Sequence, residues 1–289
     1  MPPRRLKIAL VTDIHHGPDI GSKKGTFAKR LFGKFQRWLA SSGADVMVDL
    51  GDRINDEGVE HDRTRLSEVA QWFKQIRLPR HHIVGNHDIQ CLSLAENEAL
   101  LGAPLCSRSV IVNGWRLLFW AVDSRLSKAS GFNAKPSELA WLRSELKKQK
   151  IPTVIFTHAP LGNGSYTGNF YFEKAVPQLA GYSPKQSEKI REIIERSETV
   201  VMCINGHTHW NAYQCIDGIH YLTLPALTEL FPTHPKPTAA WSMLELKRGG
   251  ARLEVFGNLP IAYELTFKQL NKHWVNIHKS YAPKGIRPR

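Results

Sequence analysis

Five polar clusters, each at or just after the end of a β-rich run, constrain this chain more than any other feature of its sequence. Asp13-Ile14-His15 follows Leu6–Val11, and Gly51-Asp52 follows residues 45–50. Gly85-Asn86-His87-Asp88 follows residues 81–84, and His158 follows Thr153–Phe156. Gly206-His207-Thr208-His209 follows residues 199–204. Open α/β sheets bind ligands beyond the carboxyl ends of their strands, so side chains far apart in sequence can meet on one rim. In extended chain, alternate residues project the same way, which suits the D-x-H step and the pair His207 and His209. The glycines at 51, 85 and 206 are expected to let the backbone turn and aim the next side chain.

The donor chemistry is coherent. Asp, His and Asn offer mixed oxygen and nitrogen coordination, which suits Mn, Fe, Zn, Co or Ni. No cysteine stands in these clusters, which argues against a structural zinc of the thiolate type. A carboxylate between two cations can bridge them, and Asp52 is the natural choice. Taken singly, Asp13 and Asp52 read as helix caps or loop carboxylates, His158 as a hydrogen-bonded loop histidine, and Asn86 as a turn residue. Their joint occurrence at strand ends makes the functional reading.

Between the clusters, amphipathic stretches alternate with apolar runs. Phe27, Leu31, Phe35, Trp38 and Leu39 give residues 26–40 helical spacing, as Leu66, Val69, Ala70, Phe73 and Ile76 do for 64–76. Helices are also expected over 137–148, behind Pro136-Ser137, and over 185–196. Asn113-Gly114 marks a hairpin within 110–122, and Arg248-Gly249-Gly250-Ala251 joins a closing hairpin. Residues 163–181 read as a long loop, of a length that is often functional inside a compact domain. No repeat or linker interrupts the chain, so the expected division is one domain over 1–260 with a basic extension over 261–289.

Bulk properties bound the alternatives. The 289 residues include 42% hydrophobic and 22% charged side chains, the balance of an ordinary globular protein. No apolar run approaches the ~18–20 residues of a membrane span, and the Arg4-Arg5 start lacks the apolar segment of an export signal. Cys91, Cys106, Cys203 and Cys215 form neither a C-x-x-C pair nor a dense disulfide framework, which favours a reducing, cytoplasmic setting. A net charge of +13 favours anionic partners, with phosphate esters, nucleotides, nucleic acid and membrane surfaces all eligible.

In order, D-x-H, G-D, G-N-H-D, a lone H and G-H-x-H resemble the motif series of the calcineurin-like metallophosphoesterases, as does the helix containing Glu138-Leu139-Ala140-Trp141-Leu142 before the fourth motif. The resemblance implies an α/β fold of two packed mixed β-sheets flanked by helices, a four-layer sandwich with a dinuclear metal site at strand ends. It implies that Asp13, His15, Asp52 and His209 hold one divalent cation, and that Asp52, Asn86, His158 and His207 hold a second, as Mn2+, Fe2+/Fe3+ or Zn2+. It implies that His87 is a catalytic residue outside the ligand set, oriented by Asp88, and that a metal-bridging hydroxide attacks phosphorus. Asn86, His16 and Arg53 are further candidates for substrate contact.

The expected activity is hydrolysis of a small phosphodiester of the cyclic-nucleotide type. Other readings are a phosphomonoesterase or nucleotide pyrophosphatase, a nuclease using the basic surface, and a non-catalytic scaffold. A nuclease would bind with steep salt dependence. A scaffold would be expected to have lost ligand positions, and here all are filled.

Overall fold

A computed structural model describes residues 2–267 apart from Lys128, Ser130 and Asn163. In chain order its elements are β1 (Leu6–Val11), the short ribbon of β2 (Asp19–Ile20) and β3 (Lys23–Lys24), α1 (Ala28–Ser41), β4 (Val46–Asp49), α2 (Val59–Lys74), β5 (Arg80–His82) and α3 (Leu94–Leu101). Then come β6 (Arg108–Val112), β7 (Trp115–Phe119), α4 (Pro136–Lys147), β8 (Thr153–Phe156), α5 (Pro184–Glu195), β9 (Val200–Asn205), β10 (Ala212–Ile216) and β11 (Ile219–Thr223). The last three strands are β12 (Trp241–Lys247), β13 (Gly250–Phe256) and β14 (Ile261–Thr266).

Two six-stranded sheets result, ordered β14-β13-β12-β1-β4-β5 and β10-β11-β9-β8-β7-β6. Both are mixed. β1, β4 and β5 run parallel, while β12 joins β1 antiparallel; β7, β8, β9 and β11 run parallel, with antiparallel strands at both edges. The period-2 geometry of a strand sorts the side chains of β1 onto two faces. Leu6, Ile8 and Leu10 enter a core shared with Leu117, Phe119, Val154, Phe156, Met202 and Ile204 of the second sheet. Ala9 and Val11 face the other way, onto Phe32, Phe35, Leu66 and Phe73 of α1 and α2. On the far side, Leu118, Ile155 and Cys203 pack against Leu142, Ile190 and Ile194 of α4 and α5. The layers are therefore helix, sheet, sheet, helix, as the resemblance implies. With both faces of each sheet covered, the central strands read as continuous apolar runs.

Local signals set the joints. Asn113 and Gly114 take φ of 52° and 82° in the tight turn between β6 and β7, the primed geometry that an Asn-Gly pair favours. Helix α2 begins at Val59, five residues before the apolar periodicity predicts, because Asp62 Oδ1 accepts the N–H groups of Glu57 and Gly58 at 2.8 and 3.3 Å. Helix α3 has a capping box, with Ser93 and Glu96 satisfying each other's backbone N–H groups.

The expected extension over 261–289 begins with Ile261–Thr266, which form β14 and pair with β13, so the sheet runs past the boundary at 260. The rest of that segment, 268–289, lies outside the described residues. Among the described residues no helix is long and apolar enough to cross a membrane.

The inter-sheet layer should dominate stability. Phe156→Ala, at a side chain 0% exposed, should cost about 3–5 kcal/mol in urea unfolding. Ile111→Ala, at a side chain 53% exposed, should stay within about 0.5 kcal/mol.

Candidate metal centre

All five polar clusters meet at one edge of the sandwich. Ligand-capable atoms of Asp13, His15, Asp52 and His209 lie within 4.8 Å of one another, as do those of Asp52, His158 and His207. Asp52 belongs to both groups. Its Oδ2 is buried without a hydrogen bond, 3.2 Å from His158 Nε2 and 3.9 Å from His15 Nε2. In the first group His209 Nε2 stands 3.0 Å from His15 Nε2 and 3.3 Å from Asp13 Oδ1. Asn86 Oδ1 joins the second group, 3.2 Å from His158 Nε2.

The backbone is bent to achieve this. Asp13, His15, Asp52, His207 and His209 all have positive φ, between 48° and 70°. They are five of the nine non-glycine residues in that conformation among those described, and the others include turn residues such as Asn113. Each left-handed non-glycine residue costs on the order of 1–3 kcal/mol when held in a sparsely populated region, and such strain concentrates at functional sites. Hydrogen bonds between loops hold the bends: Asp13 N–H donates to Gly51 O at 3.0 Å and His15 N–H to Asp52 O at 3.0 Å. Gly85 and Gly206 serve a different purpose from the turn expected of them. A Cβ at Gly85 would stand 2.1 Å from Asp52 Oδ1, and one at Gly206 would stand 2.4 Å from Asp13 Oδ2. Glycine is needed there so that two carboxylates can approach the backbone.

Outer contacts fix which ring nitrogen each histidine presents. His158 Nδ1–H donates to Leu50 O at 2.8 Å, which leaves Nε2 toward Asp52. His207 Nε2–H donates to Leu179 O at 2.9 Å, which leaves a buried, unpartnered Nδ1. His209 Nδ1–H donates to Glu229 Oε2 at 2.7 Å, the carboxylate–histidine arrangement that orients metal ligands. Sequence reasoning missed Glu229, which stands outside every motif.

Three expected contacts are corrected. Asp88 does not orient His87; its carboxylate accepts the N–H groups of Gly85, Asp52 and Arg53 at 2.8, 3.0 and 2.8 Å. The partner of His87 Nδ1 is Asp56, four residues beyond Asp52. Arg53 is fully buried, not turned to a substrate: it contacts Asp49 and Asp88 at 2.7 Å each and donates to Ile83 O at 2.6 Å. His16 pairs with Glu68 and lies edge-on to Trp72, which directs it away from the ligand groups.

Further residues come to the rim. Lys23, on β3, has its side chain nearly buried and its Nζ 3.3 Å from His87 Nε2. In the loop over the site, Asn169 donates to Thr208 O at 2.9 Å, Phe172 lies against His207, and the Tyr171 hydroxyl meets Ser22 at 2.7 Å.

The electrostatics are those of a cation site holding protons. Burial opposes charge on His158 and His209, yet Asp52 raises the first to about 9, and Asp13 with Glu229 raises the second to about 9. Burial lowers His207 to about 3, and burial with Lys23 nearby lowers His15. Burial disfavours charge on Asp52 too, but the surrounding histidines hold its carboxyl well below the usual range. Burial lowers Lys23 against the pull of Asp52, Asp56, Glu229 and Asp13. The donor set fits divalent cations: buried nitrogen and oxygen atoms without partners, spaced as ligands at about 2.0–2.2 Å from a common centre would be.

Comparison with known proteins agrees with this geometry. The sequence model of the calcineurin-like phosphoesterase family matches residues 6–211, and the chain belongs to that family. No curated protein sequence matches it. Among solved structures, a dimetal phosphatase from Danio rerio superposes with a TM-score of 0.69 at 16% identity, over 93% of this chain and all of the other. A purple acid phosphatase from yellow lupin gives 0.63 at 13% identity, over 91% of this chain and 54% of the other. GAP50, described as the anchor in the inner membrane complex of Plasmodium, gives 0.62 at 14% identity, over 92% and 90%. Identities this low establish a shared fold alone.

Cation binding should displace protons from His158 and His209. Burial notwithstanding, their carboxylate partners raise both to about 9, and one belongs to each donor group, so the apparent affinity for each cation should fall with falling pH by up to about one logarithmic unit per pH unit. Calorimetric titration at pH 6.5 and 8 in buffers of different ionisation enthalpy measures the release. In the metal-free protein these raised histidines stabilise the fold fully below about pH 6.5, and that contribution is lost as pH rises through about 9.

Proposed function

We propose that this chain hydrolyses a small phosphate ester at a two-cation centre, with Asp52 shared between the cations. The observation that carries the reading is the unpartnered Asp52 Oδ2, common to both donor groups at the edge where five strand ends meet. Asp13, His15, Asp52 and His209 would hold one cation, and Asp52, Asn86, His158 and His207 the other. The nitrogen and oxygen donors suit Mn, Fe or Zn. When bound, such a pair supplies positive charge against the phosphoryl oxygens and makes water acidic enough to ionise near neutral pH.

The chain's own residues supply the rest. Glu229, Leu50 O and Leu179 O fix the histidine tautomers before substrate arrives. Asp56 holds His87 Nδ1, so that Nε2 faces the rim beside Lys23. His87 is placed to give a proton to the departing oxygen, a role worth about 10²–10⁴-fold in such reactions. Asp88 and Arg53 position Asp52 through its backbone.

Within this activity we read the substrate as a small diester, met by residues of β3, the 164–181 loop and the 228–231 segment. All four cysteines stand free, in keeping with a reducing, cytoplasmic setting. Hydrolysis of bis-p-nitrophenyl phosphate faster than p-nitrophenyl phosphate, with added Mn2+, supports the diester reading; the reverse order supports a monoesterase. His87→Ala should keep its full metal content and lose about 10²–10⁴-fold in turnover. Loss of metal in that variant would instead make His87 a ligand.

A further inference from the structure

One large apolar side chain near the metal centre stands in water. Phe170 is 58% exposed, the most exposed of the large apolar residues among those described. A lone apolar side chain on a surface is ordinary, but this one is neither alone nor loosely held. Its ring lies nearly parallel to that of Phe231, with centroids 6.2 Å apart and 22° between the planes, and it meets the Tyr171 ring edge to face at 4.9 Å. Tyr171 in turn lies edge-on to His209 at 5.7 Å. Two ring contacts therefore lead from a residue of the first donor group out to Phe170.

Both rings are fixed to the site through their neighbours. Asn169 is 2% exposed; its side-chain amide donates to Thr208 O at 2.9 Å, and its Oδ1 accepts the N–H groups of Tyr171 and Phe172 at 3.0 and 3.1 Å. The Tyr171 hydroxyl meets Ser22, and Phe172 is buried against His207. Residues 169, 171 and 172 are thus all engaged, while the ring of Phe170 among them is turned outward. Phe231 N–H donates to Glu229 Oε1 at 3.2 Å, on the carboxylate whose other oxygen holds His209. Each ring is anchored beside a candidate metal ligand, Phe170 through Thr208 and Phe231 through Glu229. A flat ring has the most to gain from such a surface: it meets an aromatic face over its whole area, and a two-torsion side chain on a fixed backbone loses little freedom on contact.

We propose that Phe170, backed by Phe231, is a substrate-binding residue that stacks on a flat aromatic group carried by the ester. This rests on the two-cation hydrolase reading and adds to it: that reading asks only for a small diester, whereas the stack asks for a planar ring on the part of the ester that lies toward Tyr171. The two ring contacts between His209 and Phe170 call for a short spacer, of two carbons or one sugar, between phosphorus and ring. A heterocyclic base and a benzene ring share the needed chemistry. Phe170 acts on binding and takes no part in bond breaking, so its effect falls on KM.

The test uses diesters that all release p-nitrophenolate and differ in the group retained: thymidine 5′-, 2-phenylethyl, 2-cyclohexylethyl and methyl p-nitrophenyl phosphate, with metal content measured in every protein. Wild type should favour the thymidine or the phenylethyl ester over the cyclohexylethyl and methyl esters by at least about fivefold in kcat/KM, the lower end of what stacking on an aromatic side chain supplies. The better of those two names the source of the ring. Phe170→Ala and Phe170→Leu should remove the preference through KM, with kcat changing less than about twofold, and Phe170→Trp should restore it. A Phe170→Leu protein that keeps the preference, a cyclohexylethyl ester as good as both planar ones, or equal losses in Phe170→Ala on the methyl and planar esters would overturn the assignment of Phe170. A wild type carrying two metals that releases nitrophenolate from none of the esters would bring down the hydrolase reading, and this inference with it.

Discussion

Everything at the rim is registered against Asp52. Its backbone N–H is fixed by Asp88, its carbonyl accepts the His15 N–H, and its Oδ1 accepts the His87 N–H at 2.9 Å. The residues just before it do the same work: Gly51 O holds Asp13, and Leu50 O holds His158. The loops after β1, β5 and β8 therefore take their positions from the loop after β4. That leaves Asp52 Oδ2 as the one oxygen of the carboxylate without a hydrogen bond, and it is the atom common to both donor groups. Metal geometry in such an arrangement is a consequence of backbone hydrogen bonding more than of side-chain freedom.

The layer beneath that loop is ionic. Arg53 lies between Asp49 and Asp88, all fully buried, and His82 adds a contact to Asp49 at 2.9 Å. Burial resists charge on both carboxylates, but Arg53 keeps Asp49 lowered, while the proximity of Asp52 and Asp49 leaves Asp88 raised. A buried pair of this kind adds little net stability over apolar residues of the same volume, yet breaking it is expensive. Its value lies in geometry. The Asp88 carboxylate spends its lone pairs on three backbone N–H groups around Asp52, which lets a left-handed Asp52 persist in a loop that a plain apolar floor would not organise.

The ligand types and their strand-end positions were legible in the sequence because metal chemistry demands particular side chains and sheet topology demands that they follow strands. The apolar runs of β1 and β8 were legible because both their faces are buried, and β12 because its buried residues alternate. What could not be read were partners that depend on folded proximity. Leu50 O and Leu179 O are backbone atoms and leave no trace in a sequence. Glu229 and Lys23 meet the site through strand pairing between segments some two hundred residues apart. Asp56 sits four residues past Asp52 and outside the quoted motifs, so the resemblance, which covers only the motif residues, assigned its place to Asp88. Among the elements, α3 buries only Asn97 and Leu101 and so lacks an apolar stripe, though its Ser93-x-x-Glu96 capping signal was present. Strand β10 is an edge with every residue at least partly exposed, which leaves no apolar run to find.

Net charge and local charge point in opposite directions here. The chain carries +13, which draws phosphate compounds toward it. The rim itself gathers Asp13, Asp52, Asp56 and Glu229 around the single ammonium of Lys23, with His158 and His209 protonated in the metal-free state. Exchange of those two protons for two divalent cations would move the balance of these groups from slightly negative to slightly positive at the same buried oxygens. An anionic ester thus has little to gain from the centre until the cations are in place, and much to gain afterwards. On the proposed two-cation reading, cations would precede the ester, because burial keeps water from screening the change in charge at the rim.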